Sequence, residues 1–462
     1  MAKLSLLCSL SVCFLILSSA QATQQSQRQS QCRIQNIDAL EPTQMYQSEA
    51  GVTELWDEDN NQLECAGVAV IRYTIQSRGL LLPHYHNAPK LTYIVQGRGI
   101  HGAVLPGCPE TYQSSSEEQE YQGEQGDQNQ KVRQIRQGDI VATPNGVPAW
   151  FYNEGETPLV LVALLDTSNN QNQLDNYRRS FYLAGNPGQL ERRQQEGIST
   201  HQGRGTQHQK ETINNIFSGF DEQMLAETFE VNTATARSLM GQNDRRGTII
   251  RVEHGLLTIR PPSMEQEERE QREQQNGVEE SLCNIKLRVN IDKPSRSDVY
   301  NPQAGRINRI NSRNLPILMA FQLNAERGVL YKNALRVPHW NQNAHSIIYV
   351  TRGDAQVQIV GNYQQPIYDG VLRQGQILVV PQNFAVVKRA GDRGFEWVAF
   401  RTNDNAITNP MAGRNSAIRA MPLEILMNAF RISSEEARRL KYNREEIELF
   451  APRSQSQSRA IA

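Results

Sequence analysis

The sequence predicts a mainly β protein of two jelly-roll barrels in tandem, each followed by a helical arm. Three observations carry that prediction. Short β-patterned runs recur in both halves, punctuated by Gly and Pro at short intervals, as barrels and jelly rolls require. One arrangement of glycine, proline and histidine occurs twice along the chain. A helical pattern also occurs twice, once after each group of strands.

The elements follow in order. Residues 1–20 read as a secretory signal: Lys3 gives the positive end, and Leu4 to Leu17 is an apolar run short for a bilayer. Ser18-Ser19-Ala20-Gln21-Ala22 offers small residues for cleavage after Ala20 or Ala22. No later apolar run is long enough to span a membrane, so a soluble chain folded in an oxidising compartment is expected. Residues 33–255 hold the first barrel and its helices. Val68 to Ile75 alternates apolar and polar residues, Leu91 to Val95 continues the sheet, and the apolar runs Ile140 to Ala142 and Leu159 to Leu165 suit strands within a sandwich. Leu225 to Asn232 and then Ala236 to Leu239 read as helical, with Asn232 as a cap.

Residues 261–276 form a linker, 277–450 the second barrel with its helices, and 451–462 a tail. Strands are expected over Ile317 to Leu323, Ser346 to Val350, Ala355 to Val360 and Ile377 to Val380. Leu426 to Ser433, followed by Ala437 to Leu440, repeats the helical pattern, and Ser433 with Glu436 makes a capping box. Gln113 to Gln137, Asn186 to Lys210 and Ser263 to Gln275 have almost no large apolar side chains. They are expected to be mobile loops and a linker, because burial cannot offset the entropy of ordering them.

A formal net charge of −1 argues against binding to a nucleic-acid backbone. The charge is unevenly placed: about −10 up to Asn276 and about +9 from Gly277 onward. Gln makes up about a tenth of the chain, and Arg outnumbers Lys roughly four to one. Such nitrogen-rich side chains suit either solvated loops or a nitrogen reserve, and composition alone does not choose. Loss of the signal removes Cys8 and Cys13 and leaves Cys32, Cys65, Cys108 and Cys283. An even number in a secreted protein reads as two disulfides, with three possible connectivities.

The repeated arrangement is specific. The first copy reads Gly79, Pro83-His84-Tyr85-His86, Gly97, then Gly138-Asp139 through Pro144-Asn145-Gly146. The second reads Gly328, Pro338-His339-Trp340-Asn341, Gly353, then Gly375-Gln376 through Pro381-Gln382-Asn383. Both resemble the two blocks of the cupin family, G-x5-H-x-H-x3,4-E-x6-G and G-x5-P-x-G-x2-H-x3-N. In enzymes of that family the three His and the Glu hold a metal. Here His84 and His86 stand at the first two ligand positions, but Lys90 takes the Glu position and Ala149 that of the third His. In the second copy only His339 remains, with Asn341, Ser346 and Val386 at the other positions. His345 lies nearby at the wrong spacing. An exposed His84/His86 pair could hold zinc or copper only weakly, because affinity follows ligand number and geometry. The expectation is no metal, no cofactor and no enzyme. No nucleophile elbow, P-loop or dinucleotide-binding Gly motif is present, and Gly97-Arg98-Gly99 reads as a strand turn.

Asn276-Gly277-Val278-Glu279-Glu280, followed by Cys283, ends the charged linker where a protease can grip extended backbone. The charge balance also reverses there. With Cys32-Arg33-Ile34, Pro106-Gly107-Cys108-Pro109 and the two degenerate cupin blocks, the chain resembles the 11S globulin (legumin-type) seed storage proteins over nearly all of its mature length. The related 7S (vicilin-type) class is commonly N-glycosylated and lacks this junction, and no Asn-x-Ser/Thr site occurs here. The resemblance implies cleavage of Asn276-Gly277 by an asparaginyl endopeptidase, a Cys32–Cys65 bridge, and a Cys108–Cys283 bridge joining acidic and basic chains. It also implies trimers that become hexamers after cleavage, deposited in the protein storage vacuole, with Ala460-Ile461-Ala462 resembling a sorting tail. Two other function classes compete: a cupin oxidase or isomerase using His84 and His86, and a small-molecule or sugar-binding barrel.

Overall fold

The computed structural model describes residues 32, 34–105, 132–187, 215–241, 243–256, 261 and 285–452. The signal, Cys108, the expected loop from 188 to 210, the linker from 262 with Asn276, Gly277, Cys283 and the tail from 453 lie outside the described residues.

The first barrel is built from β1 (Gln44–Ser48), β2 (Gly51–Leu55), β3 (Val68–Ile75), β4 (Gly79–His86), β5 (Lys90–Gln96), β6 (Arg98–Ala103), β7 (Val132–Arg136), β8 (Asp139–Thr143), β9 (Ala149–Tyr152), β10 (Leu159–Asp166), β11 (Ser180–Tyr182) and β12 (Ile249–Arg251). One wall runs β1-β2-β3-β10-β5-β8 and the other β11-β4-β9-β6-β7, with β12 beside β4. All pairings are antiparallel, and side chains alternate between two buried faces. From β3, Ala69, Ile71, Tyr73 and Ile75 point into the barrel with Ile94, Val141 and Leu161. Val68 and Val70 point the other way, into the seam between the barrels. That double burial explains why Leu159 to Leu165 is apolar at every position.

The second barrel comprises β14 (Val299–Asn301), β15 (Gly305–Ile310), β16 (Asn324–Leu330), β17 (Leu335–Asn341), β18 (Ser346–Val360), β19 (Tyr368–Arg373), β20 (Ile377–Val380), β21 (Ala385–Arg401), β22 (Thr408–Pro410) and β23 (Leu449–Phe450). It forms one ten-stranded sheet in which β18 and β21 pair along most of their length. The two expected strands at Ser346 to Val350 and Ala355 to Val360 are thus one strand. It is bent by register shifts around Arg352 and Gly353, the latter at φ 74°. The seam between barrels packs Tyr93, Ile140, Val162 and Leu164 against Ile347, Tyr349, Val379 and Phe400.

Two expectations are corrected. Ile317 to Leu323 is not a strand: Leu318–Phe321 forms a short helix, ended by Gln322 in the left-handed conformation. Leu318 and Phe321, three residues apart, face the seam while Met319 is exposed, and so short an apolar run fits a helix turn as well as a strand. Gln113 to Gln137 is not all loop: Val132–Arg136 pairs with β6 and buries Val132 and Ile135.

The halves exchange segments. Leu40, ahead of the first barrel, makes a two-way backbone pair with Ile377, and the Ile37 N–H donates to the Ile367 carbonyl. Ile34 and Ile37 bury in the second core. In return β13 (Arg288–Asn290), ahead of the second barrel, adds a strand to β8 of the first. A disulfide joins Cys32 to Cys65, Cα atoms 4.6 Å apart, on the helix Asn61–Ala66.

Candidate functional site

In each barrel the Pro-His pair of the repeated block sits at a bulge. Leu81 and His84 pair with Phe151 and Ala149, so that Leu82 and Pro83 stand opposite Trp150 alone. Arg336 and His339 pair with Lys388 and Val386 in the same way, with Pro338 between. Proline has no N–H to donate, so a bulge is where a strand tolerates it. The extra residue turns both Leu81 and His84 inward, and both are fully buried.

His84 Nδ1 lies 2.8 Å from the Leu82 carbonyl and donates to it. That leaves Nε2 as an acceptor, 3.4 Å from Lys90 Nζ. The ring stacks on Tyr182 and meets His86 edge-on, with centroids 5.3 and 5.0 Å away. His86 Nδ1 is 3.1 Å from Ser180 Oγ. Burial, with Lys90 adding to it, pushes His84 down to about 3, and burial pushes Lys90 down to about 7. The His pair expected to be exposed is therefore buried and neutral. His339 repeats the arrangement, its Nδ1 donating to the Val337 carbonyl at 2.8 Å. It is buried in the second barrel, 4% exposed.

These residues do not fit a cupin metal centre. The lone pair of His84 Nε2 faces an ammonium, and Ala149 opposite His84 offers no donor. Among the described residues no group of three or more His, Cys, Asp or Glu is arranged to hold an ion.

The second barrel holds an ionic cluster that sequence reasoning missed. Glu326 of β16 accepts from Arg336 at 2.9 Å, from Arg309 at 3.2 Å and from Arg401. Glu448 accepts from Arg309 at 2.8 Å and forms an ion pair with Arg336 at 3.2 Å. Lys388 Nζ lies over the Trp397 ring, 5.1 Å from its centroid. The available signal was Glu326, Arg336 and Arg401 standing among apolar residues in strand-patterned stretches. The cluster ties β16, β17 and β21 to the segment just before β23.

Each barrel carries a helical arm. Glu222–Thr228 and Thr233–Met240 follow the first, and Leu423–Phe430 and Ser434–Tyr442 the second. Equivalent positions behave alike. Leu225 and Leu426 are buried, as are Ala236 and Ala437, whereas Met224, Ile425, Phe229 and Phe430 are exposed. Glu230 and Arg431, between the helices, both take the left-handed conformation. Asn232 and Ser433 cap the second helix of each arm, Ser433 with the reciprocal Glu436 contact.

Comparison with known proteins agrees with this architecture. A family model described as Cupin matches residues 37–189 and 289–438. The 11S globulin seed storage protein 1 of Carya illinoinensis is 50% identical over 468 residues, covering 94% of this chain and 92% of that one. The solved coconut allergen cocosin is 46% identical with a TM-score of 0.78, covering 91% and 100%. A recombinant pro-11S globulin of pumpkin is 44% identical with a TM-score of 0.78, covering 92% and 100%. No helix of the described residues is long and apolar enough to cross a membrane. By fold, by its paired barrels and by identity along almost its whole length, this chain belongs to the 11S globulin seed storage proteins of the cupin superfamily.

Proposed function

We propose that the protein is a nutrient reservoir without catalytic activity, cut at Asn276-Gly277 and assembled first into trimers and then into hexamers. The observation that carries this reading is the pairing of two intact barrels with ligand positions filled by groups that do not bind a metal: Lys90, Ala149, Ser346 and Val386. What remains to be useful is mass, nitrogen and packing, and the Gln- and Arg-rich composition supplies the nitrogen.

The charge reversal at Asn276 supports the cut, which would release an acidic and a basic chain. Cys108–Cys283 would span it and keep the product covalent, with deposition in the protein storage vacuole. The arms support the assembly. Met224 and Phe229 on one, and Ile425 and Phe430 on the other, leave apolar side chains in water at matching positions. An arm of each kind meeting its counterpart on a neighbour would give a heterologous contact of the kind that closes rings, which the proposed trimer needs. The uncut linker would cover one trimer face and hold back stacking.

A denaturing gel of the seed-deposited protein, with and without reductant, tests the cut. One band that splits on reduction, the smaller beginning at Gly277, is the expected result; an uncut chain indifferent to reductant rejects it. Asn276→Ala should leave trimers that do not stack, and hexamers forming as readily as in wild type would reject the gating role.

A further inference from the structure

The interior of the first barrel is rich in hydrogen-bond donors and holds a cation without an anion. Lys90 is 1% exposed, and its Nζ lies 3.4 Å from His84 Nε2 and 6.0 Å from the centre of the Phe151 ring. Among the described residues no carboxylate pairs with it. Around it stand polar atoms that are buried and without partners: Thr92 Oγ1, Thr143 Oγ1, His86 Nε2 and His101 Nε2. Their placement is convergent. Thr143 faces Lys90 directly across the β5–β8 ladder, and Thr92 follows two residues on along the same face. His101 packs on Phe151, the ring over which Lys90 lies, with centroids 4.6 Å apart. His86 adjoins His84. Arg178, near the His pair, adds a second cation, paired with Glu58 at 2.7 Å.

We propose that this interior binds a small anion, a carboxylate or an inorganic oxyanion, on Lys90 with the Thr92 and Thr143 hydroxyls as flanking donors and His86 and His101 beside them. Water could satisfy the hydroxyls, whereas an anion meets both the hydroxyls and the lysine, which carries its charge below about pH 7. The lysine that displaces a metal from this barrel thus supplies a fixed cation of its own. The inference is independent of the reservoir role, which stands whether or not an anion is carried.

The test uses the full-length protein at pH 6 and constant ionic strength, titrated separately with sodium acetate and sodium phosphate. Saturable stabilisation against heat is the readout, because a ligand bound only to the folded state raises the melting temperature. Saturation by acetate alone assigns a carboxylate, and by phosphate alone an oxyanion. Lys90→Met should weaken binding by roughly tenfold or more, because a charge-assisted hydrogen bond is lost. Lys388→Met, in the other barrel, should bind as wild type does. Thr92→Val keeps the side-chain shape and gives a second test should Lys90→Met fail to fold; a several-fold loss is expected. A wild-type protein that neither probe stabilises overturns the proposal, as does unchanged affinity in the variants. A bromide-soaked crystal of the wild type should show anomalous density within reach of Lys90 Nζ, and density only elsewhere also overturns it.

Discussion

Glu326 is a carboxylate held by three arginines inside a barrel, and it sets how the second domain responds to acid. Burial works to raise its pKa, but Arg336, Arg401, Arg309 and Lys388 together hold it well below the ordinary 4.5. A depressed folded pKa adds stability that is complete above the unfolded value and is lost as pH falls below it. The buried histidines act in the same direction over a higher range. His84 and His101 are pushed from 6.5 to about 3, chiefly by burial, so the unfolded chain takes up protons first as acid is added. Urea unfolding should therefore weaken steadily from pH 6.5 to 3. Glu326→Gln should cost about 3–5 kcal/mol at pH 7, because three guanidinium groups lose a common buried partner. Its deficit against wild type should shrink below pH 4.5. A deficit that stays constant from pH 7 to 3 would mean that folding leaves the Glu326 pKa unchanged and that the arginines do not hold it down.

At the scale of elements, the duplication was legible wherever one residue has one backbone consequence. Gly138 and Gly375, picked out by the repeated block, share φ 86° at the turns before β8 and β20. Asn232 and Ser433 cap where the sequence predicts. Lys90 and Ala149 were legible as broken ligand positions. The bulges were not, although Pro83 and Pro338 mark them, because a proline in a strand says that pairing is disturbed and not which way side chains turn. The ionic cluster was hidden because Glu326, Arg336 and Glu448 are distant in sequence and meet only through strand pairing. Ile317 to Leu323 was misread because periodicity cannot separate a short buried helix from a strand. The cap gives a direct check. Ser433→Ala removes the hydroxyl that accepts from the Glu436 N–H and leaves the backbone half of the box, which should cost about 1 kcal/mol and speed amide exchange over Ser434–Tyr442. Exchange unchanged there would mean that packing of Leu426 and Ala437 alone fixes the arm.

For the whole molecule, the decisive feature is that the chain crosses itself before each barrel. The segment carrying Ile34, Ile37 and Leu40 belongs to the first half by sequence and to the second core by packing. β13 belongs to the second half and completes a wall of the first barrel. A cut at Asn276-Gly277 falls between the two barrels, so each product would keep a segment embedded in the other. The seam adds a continuous apolar contact, from Tyr93, Val162 and Leu164 to Tyr349, Val379 and Phe400, of the kind that holds obligate interfaces together. Reducing the proposed Cys108–Cys283 bridge should then leave the halves joined. Protein cut at that bond and treated with reductant in non-denaturing buffer should elute as one species from a sizing column, and should separate only when urea is added as well. Separation on reduction alone would show that the exchanged segments are too short to hold without a covalent tie. Co-elution would give the bridge a different task, that of returning the halves to one another after unfolding, where tethering lowers the entropy of the open chain by an amount worth about 2–4 kcal/mol.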